Sequence, residues 1–116
     1  AGWFSQVQTP DTTSSPAALE LLSITPNDGD TDVAVGSDIV LTFNNKIVAE
    51  AITLLNANTG DMVAVTKAWD AFGKVLTMKS STALTTNTMY IVSIAGVKDI
   101  YGQSLMATSK AFTTVT

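Results

Sequence analysis

Apolar residues recur at every second position over most of this chain, and no segment has the period of a helix of three turns. In residues 38–43, Ile39, Leu41 and Phe43 fall on one face of an extended strand, and the residues between them fall on the other. The other segments with strand character are 19–25, 51–56, 62–68, 74–79, 88–94 and 110–116. Gly, Pro, Asn and Asp separate these segments. The pattern predicts an all-β fold, an antiparallel two-sheet β-sandwich of about seven strands.

The inward faces of these strands define a predicted core. The residues expected in it are Leu41, Phe43, Leu76, Tyr90, Val92 and Phe112. Gly60 can supply the positive φ that a short hairpin between residues 51–56 and 62–68 requires. Only residues 46–51 and the neighbourhood of Leu84 have a composition compatible with a short helical turn.

The first part of the chain differs from the rest. Residues 1–18 contain Pro10 and Pro16, are rich in Ser, Thr and Gln, and have no strand or helix period. We predict a flexible or docking linker over residues 1–18 and a single domain over residues 19–116. Trp3 and Phe4 are either an anchor for a neighbouring protein or the frayed end of a preceding domain.

Composition limits the partners of this chain. Of its 116 residues, 46% are apolar and 14% are charged, which favours a domain with a real core over a disordered chain. The net charge of −4 leaves no basic face for nucleic-acid phosphates, and no apolar run is long enough to span a membrane. We expect protein partners or neighbouring domains of the same polypeptide, with a glycan as a further option, but neither nucleic acid nor membrane insertion.

Catalysis has few residues to draw on. The sequence contains no His and no Cys, and all six of its basic residues are lysines. Hydrolytic triads, histidine or thiolate metal sites and arginine clamps are therefore excluded. We predict that this chain is not an enzyme.

Motifs of a known family occur near both ends of the predicted sandwich. They are Thr25-Pro26, Asp28-Gly29, Asp32-Val33, residues 39–43, Leu84, Tyr90, residues 97–99, Gly102 and residues 112–114. With these motifs in this order, the chain resembles the bacterial Ig-like domains typified by surface-layer proteins, from about Leu22 to Thr114. The resemblance implies an Ig-like sandwich and no catalytic motif. The sequence departs from the family pattern at Gln103, where Asn commonly follows the Gly, and at residues 44–46.

Two of these positions have a physical role in the predicted fold. Tyr90 is placed like the tyrosine of a tyrosine corner, in which a buried ring holds its hydroxyl against the backbone of the preceding loop. Asp99 and Gly102 bracket a tight turn. There the carboxylate can accept backbone N–H groups, and the glycine can adopt positive φ.

Three carboxylates with a spacing of two residues form a candidate metal site. Asp28, Asp30 and Asp32 begin like a calcium-binding loop, because calcium takes six to eight oxygen ligands. The rest of an EF-hand pattern fails, since Val33 stands where the loop needs Gly and Ile39 stands where it needs Glu. A solvated turn between two strands fits the sequence better. We therefore expect no cofactor, with calcium on these three residues as the alternative.

Three aromatic residues are predicted to reach a loop surface. Trp69 and Phe72 flank a turn, and together with Tyr101 they can stack on sugar rings or contact a protein partner. The alternative is packing in the core or along a sheet edge, where large aromatic residues contribute most of their stabilisation.

The sequence as a whole predicts a non-catalytic Ig-like structural or adhesive module of a bacterial cell-surface or secreted multidomain protein. Its expected location is extracellular or at the surface of a bacterium. One alternative is a phage virion component that decorates a capsid or tail. The other is a carbohydrate-binding accessory domain of a secreted hydrolase.

Overall fold

The regular elements of residues 17–116 are all β-strands. A computed structural model describes residues 17–116, and this range contains no helix that could cross a membrane. Its strands are β1 Leu21–Thr25, β2 Asp30–Val33, β3 Ile39–Phe43, β4 Ile47–Ala49, β5 Thr53–Asn56, β6 Met62–Val63, β7 Val65–Trp69, β8 Val75–Ser80, β9 Met89–Ile94, β10 Lys98–Asp99 and β11 Thr108–Thr114. The predicted all-β class is confirmed.

The strands form two main sheets and one small ladder. One sheet has four strands in the order β1-β3-β8-β7, and the other has five in the order β2-β11-β9-β5-β6. Strands β4 and β10 form a separate two-stranded ladder. Every pairing is antiparallel except that of β2 with β11. The predicted two-sheet sandwich is therefore confirmed, with β2, β4 and β10 as short additions.

The described chain enters the sandwich at one end and leaves it at the other. Strand β1 begins beside the last residue of β3, and β11 begins beside the last residue of β9. The loops after β3 and β9 meet, because the N–H of Ile100 donates to the carbonyl of Lys46 (2.9 Å). We call this end, where Ala17 lies, the entrance end. Strand β11 finishes at Thr114 beside Val33, at what we call the exit end.

The core lies between the two main sheets. Leu41 and Leu76 face each other across β3 and β8, and the rings of Tyr90 and Phe112 stack with centroids 5.8 Å apart. Burying a side chain of this size contributes about 1.5–3 kcal/mol. The core prediction is confirmed for Leu41, Phe43, Leu76, Tyr90, Val92 and Phe112, all of which are buried.

The predicted tyrosine corner is present at the exit end. The buried Tyr90 hydroxyl accepts a hydrogen bond from the N–H of Thr85 (2.8 Å). The hydroxyl of Thr114 donates to the carbonyl of Thr85 (2.6 Å) and accepts from the N–H of Thr88 (3.0 Å). Asn87, between them, has a φ of 51°, which asparagine tolerates better than most residues. The connection before β9 is thus fixed by two side chains from the core.

Residues 62–68, predicted as one strand, form two strands in different sheets. Met62–Val63 pairs with β5, and Val65–Trp69 pairs with β8, so the chain changes sheets at Ala64. Strands that switch sheets are a known way to make the corner of a sandwich. Val63 and Val65 both pack against the common core. Their alternation is therefore compatible with either sheet and does not mark the crossing.

Residues 46–51, whose composition is compatible with a short helical turn, contain strand β4 instead. Ile47 pairs with Asp99, and Ala49 pairs with Lys98. The partner strand lies far along the chain, so local composition carries no signal for this pairing. The β4–β10 ladder closes the entrance end of the sandwich.

Candidate functional site

A network of polar groups surrounds Asp99 at the entrance end. This residue is only 1% exposed. Its Oδ1 accepts the N–H groups of Tyr101 (3.1 Å) and Gln103 (2.8 Å). Its Oδ2 accepts Gln103 Nε2 (2.7 Å) and Asn45 Nδ2 (3.0 Å). Hydrogen bonds to a carboxylate stabilise its charged form, so Asp99 can be both buried and ionised.

The same amide side chains hold the backbone where the chain enters. Asn45 Nδ2 and Gln103 Nε2 each donate to the carbonyl of Ala17 at 2.8 Å. Asn44 Nδ2 donates to the carbonyl of Ala18 (2.6 Å), and Asn44 Oδ1 accepts the backbone N–H of Glu20 (2.8 Å). We call Asn44, Asn45, Asp99 and Gln103 the entrance clamp. It connects the backbone of Ala17 and Ala18 to two loops that are distant in sequence.

The sequence predicted only part of this clamp. It predicted that the carboxylate of Asp99 accepts backbone N–H groups and that Gly102 adopts positive φ, and both features are present, with a φ of 81° at Gly102. Gln103 and residues 44–46 were recognised only as departures from the family pattern. Side-chain amides at those departures were the available signal, because amides can donate to a buried carboxylate and to a carbonyl at once.

The predicted boundary between linker and domain falls next to the clamp. The clamp binds Ala17 and Ala18, which lie on the linker side of that boundary, and the first buried side chain within residues 17–116 is that of Leu19. Trp3 and Phe4, the predicted docking residues, lie outside the described residues.

Burial raises the pKa of Asp99, but hydrogen bonds from Gln103, Asn45 and the N–H of Tyr101 outweigh it, so this pKa lies below its ordinary value of 3.8. A carboxyl group whose pKa is lower in the folded chain contributes stability above its unfolded pKa, and this contribution is lost as the pH falls through the folded value. We therefore expect the melting temperature to fall below about pH 4. The fall should be smaller in an Asp99→Asn variant.

Thermal melts monitored by circular dichroism over the acidic range measure this effect. Asp38→Asn, a change at an exposed carboxylate, is the matched control and should keep the wild-type pH profile. Identical dependence of the melting temperature on pH for the wild type and Asp99→Asn would contradict a stabilising role for the ionised Asp99 carboxylate.

Asp70 organises the turn that carries Phe72. Its Oδ1 accepts the N–H groups of Lys74 (2.8 Å) and Val75 (3.0 Å). The hydrogen bond from Val75 lowers the pKa of Asp70 most, burial opposes it, and the N–H groups of Lys74, Gly73 and Phe72 lower it further. The ionised carboxylate therefore fixes the shape of this turn.

The three predicted aromatic residues have different surroundings. Trp69 is half-buried, and its ring centroid lies 6.2 Å from that of Phe43 in the core. Phe72 is 72% exposed and Tyr101 is 60% exposed. Backbone hydrogen bonds connect residues 46–47 to the turns that carry these two side chains: the N–H of Ile47 donates to the carbonyl of Gly73, and the carbonyl of Lys46 accepts the N–H of Ile100. The structure thus gathers Phe72 and Tyr101 at the entrance end and places Trp69 at the edge of the core.

Two of the three predicted calcium ligands hydrogen-bond to the backbone, and the three form no metal-binding group. Asp28 Oδ1 accepts the N–H of Ala111 (2.8 Å), and Asp30 Oδ2 accepts the N–H of Asn27 (2.9 Å). Asp32 is exposed, with a φ of 57°. Over residues 17–116, no group of three or more acidic side chains is arranged to hold a metal ion. Asp28 lies in the turn after β1, as the predicted solvated turn requires, whereas Asp30 and Asp32 lie on β2, a strand that the sequence did not predict.

Fold and sequence together define the class of this protein. A two-sheet sandwich with a tyrosine corner is an Ig-like β-sandwich. The sequence profile of the bacterial Ig-like domain matches residues 15–114, and the chain belongs to this family. The resemblance predicted from the sequence is therefore confirmed. No curated protein matches the chain.

Solved structures share the fold at low sequence identity. CopC from Methylosinus trichosporium OB3b superposes with a TM-score of 0.71 and 21% identity, over 84% of this chain and 93% of that chain. The surface layer protein SbsC, domains 1–6, superposes with a TM-score of 0.63 and 16% identity, over 84% of this chain and 14% of that chain. L,D-transpeptidase 3 from Mycobacterium tuberculosis superposes with a TM-score of 0.55 and 17% identity, over 82% of this chain and 37% of that chain. The chain spans only a fraction of the last two proteins.

Proposed function

We propose that this chain is a non-catalytic structural module of a bacterial cell-surface or secreted multidomain protein, where it acts as a load-bearing spacer. The path of the chain is the observation that carries this proposal. The described chain enters at one end of the sandwich and leaves at the other, whereas the termini of many domains lie close together. A module with separated ends adds its whole length to the polypeptide.

The pairing of the outer segments supports a mechanical role. Strand β1 pairs with β3, and the entrance clamp holds the backbone just before β1. Strand β11 pairs with β9 on one side and with β2 on the other. Tension between the two ends acts along both strands, while antiparallel hydrogen bonds are perpendicular to the strands. Several bonds therefore share the load instead of breaking one after another.

Composition and family support the rest of the proposal. The sequence has no His and no Cys, so it lacks the side chains that most nucleophilic and metal-assisted enzymes use for catalysis. Membership of the bacterial Ig-like family, and a fold shared with part of a surface layer protein, favour the cell envelope or the exterior as the location. The virion and glycan-binding alternatives draw on no comparable feature of residues 17–116.

Forced unfolding tests the spacer role. We expect a high unfolding force when the chain is pulled between its two ends, because β1 and β11 are then loaded in shear. The sequence has no cysteine, so pairs of introduced cysteines can define the pulling points in single-molecule force spectroscopy. Forced unfolding reports the unfolding rate directly.

The matched control pulls the same domain between Asn87 and Thr116. Both residues lie at the exit end, where the N–H of Asn87 donates to the carbonyl of Val115 (2.6 Å), so this geometry opens β9 from β11 bond by bond. The force should be several-fold lower than in the end-to-end geometry. Equal forces in the two geometries would count against a load-bearing role.

A further inference from the structure

The two main sheets end in four edge strands, β1, β7, β2 and β6. An edge strand presents unpaired N–H and C=O groups to which a further strand can bind, and proteins protect such edges with bulges, charges or very short strands. Strand β1 has an irregular register between Leu21 and Ser23, and β2 is irregular against β11 and contains Asp30 and Asp32. Strand β6 has only two residues. Strand β7 has none of these three features.

Strand β7 is a regular edge of five residues. Every residue from Val65 to Trp69 pairs with β8, and the register does not shift. Residues 62–66, Met-Val-Ala-Val-Thr, contain no charge, proline or glycine, which is typical of segments that pair between chains. The first charge after them is that of Lys67. Regularity and composition thus make β7 the edge with the greatest need of protection.

Alternate residues of β7 point their backbone groups away from β8. The N–H of Asp70 donates to the carbonyl of Val75 (3.0 Å), and the N–H of Ser81 donates to the carbonyl of Ala64 (2.9 Å). In an antiparallel ladder, residues that exchange hydrogen bonds alternate with residues that do not. The even-numbered residues of β7 therefore bond to β8, and the N–H and C=O groups of residues 65, 67 and 69 point outward. No strand within residues 17–116 pairs with them there.

Lys67 lies in the middle of this open edge, and its side chain points inward. Val65 and Trp69, two residues away on either side, pack against the core, so Lys67 shares their face of the strand. Its Nζ lies 2.8 Å from Oε1 of Glu50, and the two side chains are 30% and 16% exposed. The same Oε1 accepts the N–H of Ile52 (2.7 Å), which fixes the carboxylate. The ion pair thus spans from the edge of one sheet to the start of β5 in the other.

Apolar grooves lie on both sides of this ion pair. One, of about 380 Å³, is lined by residues 62–65, by residues 52–53 and by Lys67. The other, of about 400 Å³, is lined by residues 47–50 and Trp69. A strand paired with the outer edge of β7 would place its inward side chains over these grooves and over the ammonium group between them.

We propose that Lys67, held by Glu50, keeps the β7 edge from pairing with the β7 edge of another copy. A strand paired there covers the ammonium group and removes its water, and burying a charge without a new partner is costly. Charged residues that point inward are one of the means by which edge strands are protected. This protective role goes beyond the spacer function and does not depend on it.

Two substitutions at position 67 test the proposal, because both remove the ion pair but only one leaves the edge able to pair. Lys67→Thr keeps the outward N–H and introduces a residue that favours strands. Lys67→Pro removes that N–H, which bonds to no strand, and proline is tolerated on an edge for this reason. In analytical ultracentrifugation, Lys67→Thr should form dimers and larger species. Lys67→Pro should stay monomeric, as should the wild type and Lys67→Arg, which keeps the charge.

Hydrogen exchange locates the contact. In the wild type, the amides of residues 65, 67 and 69 should exchange faster than those of Thr66 and Ala68, which bond to β8. In associated Lys67→Thr, the same three amides should become protected. Protection that appears only on another edge strand would overturn the proposal.

The matched control is Lys79→Thr, which makes the same change on β8, a strand that is paired on both sides. It should remain monomeric. Lys67→Gln, a second neutral variant, should associate like Lys67→Thr, so the result does not depend on how well one variant folds. Monomeric Lys67→Thr and Lys67→Gln with wild-type circular dichroism would overturn the proposal. Association of Lys67→Pro to the same extent would also overturn it, because the contact would then not use the β7 edge.

Discussion

Replacing Phe43 with alanine should lower the free energy of unfolding by about 3–5 kcal/mol. The Phe43 side chain is 1% exposed, and its ring packs against that of Trp69. Its backbone is also fixed, because the N–H of Phe43 donates to the carbonyl of Lys74 (2.8 Å). The surroundings therefore cannot collapse fully into the space that the ring leaves, and the cavity adds to the lost burial.

Denaturant unfolding followed by circular dichroism measures this loss. Leu22→Ala is the control, because Leu22 is also an apolar residue in an outer part of the same sheet but is 60% exposed. It should change the stability by no more than about 0.5 kcal/mol. A Phe43→Ala variant as stable as this control would mean that the two layers do not meet at Phe43.

The second large effect is expected from Asp99→Ala. The substitution removes the acceptor of two backbone N–H groups, and it leaves the side-chain amides of Asn45 and Gln103 with only the carbonyl of Ala17. Donors that lose their partner in the interior are costly. We expect the melting temperature to fall by about 10 °C or more for a domain of this size. The β4–β10 ladder and the backbone at Ala17 should loosen first.

Hydrogen exchange of the amides at the entrance end measures this loosening, together with the melting temperature. Asp38→Ala is the control, because that carboxylate is exposed and its nearest ion-pair partner, Lys79, lies 3.6 Å away. Asp38→Ala should leave both measurements close to wild type. Faster exchange spread evenly over the whole domain, with no excess at the entrance end, would argue against a local role for the clamp.

The parts of this fold that the sequence predicted are those set by local pattern. Strands β3, β8 and β9 have strict alternation, so their inward residues could be assigned without knowing which strand pairs with which. The tyrosine corner was also predictable, since the Tyr90 hydroxyl and the N–H of Thr85 that donates to it lie five residues apart. Once a strand has formed, its alternation decides which side chains face inward.

The parts that the sequence did not predict depend on contacts between distant segments. Strand β4 exists only because β10 is available beside it, and neither segment has a strong pattern alone. In the clamp, the backbone contacts of Asp99 lie within four residues and were predicted. Its contact with Asn45 spans 54 residues, and that of Gln103 with Ala17 spans 86. Only the folded topology brings those groups together.

The change of sheet at Ala64 has a consequence for how the domain comes apart. Val63 and Val65 belong to opposite layers and are separated by a single residue. One sheet cannot unfold without pulling an edge strand out of the other sheet. A partly unfolded intermediate that keeps one sheet intact is therefore unstable. The domain should therefore melt as one cooperative unit, in a single all-or-none transition.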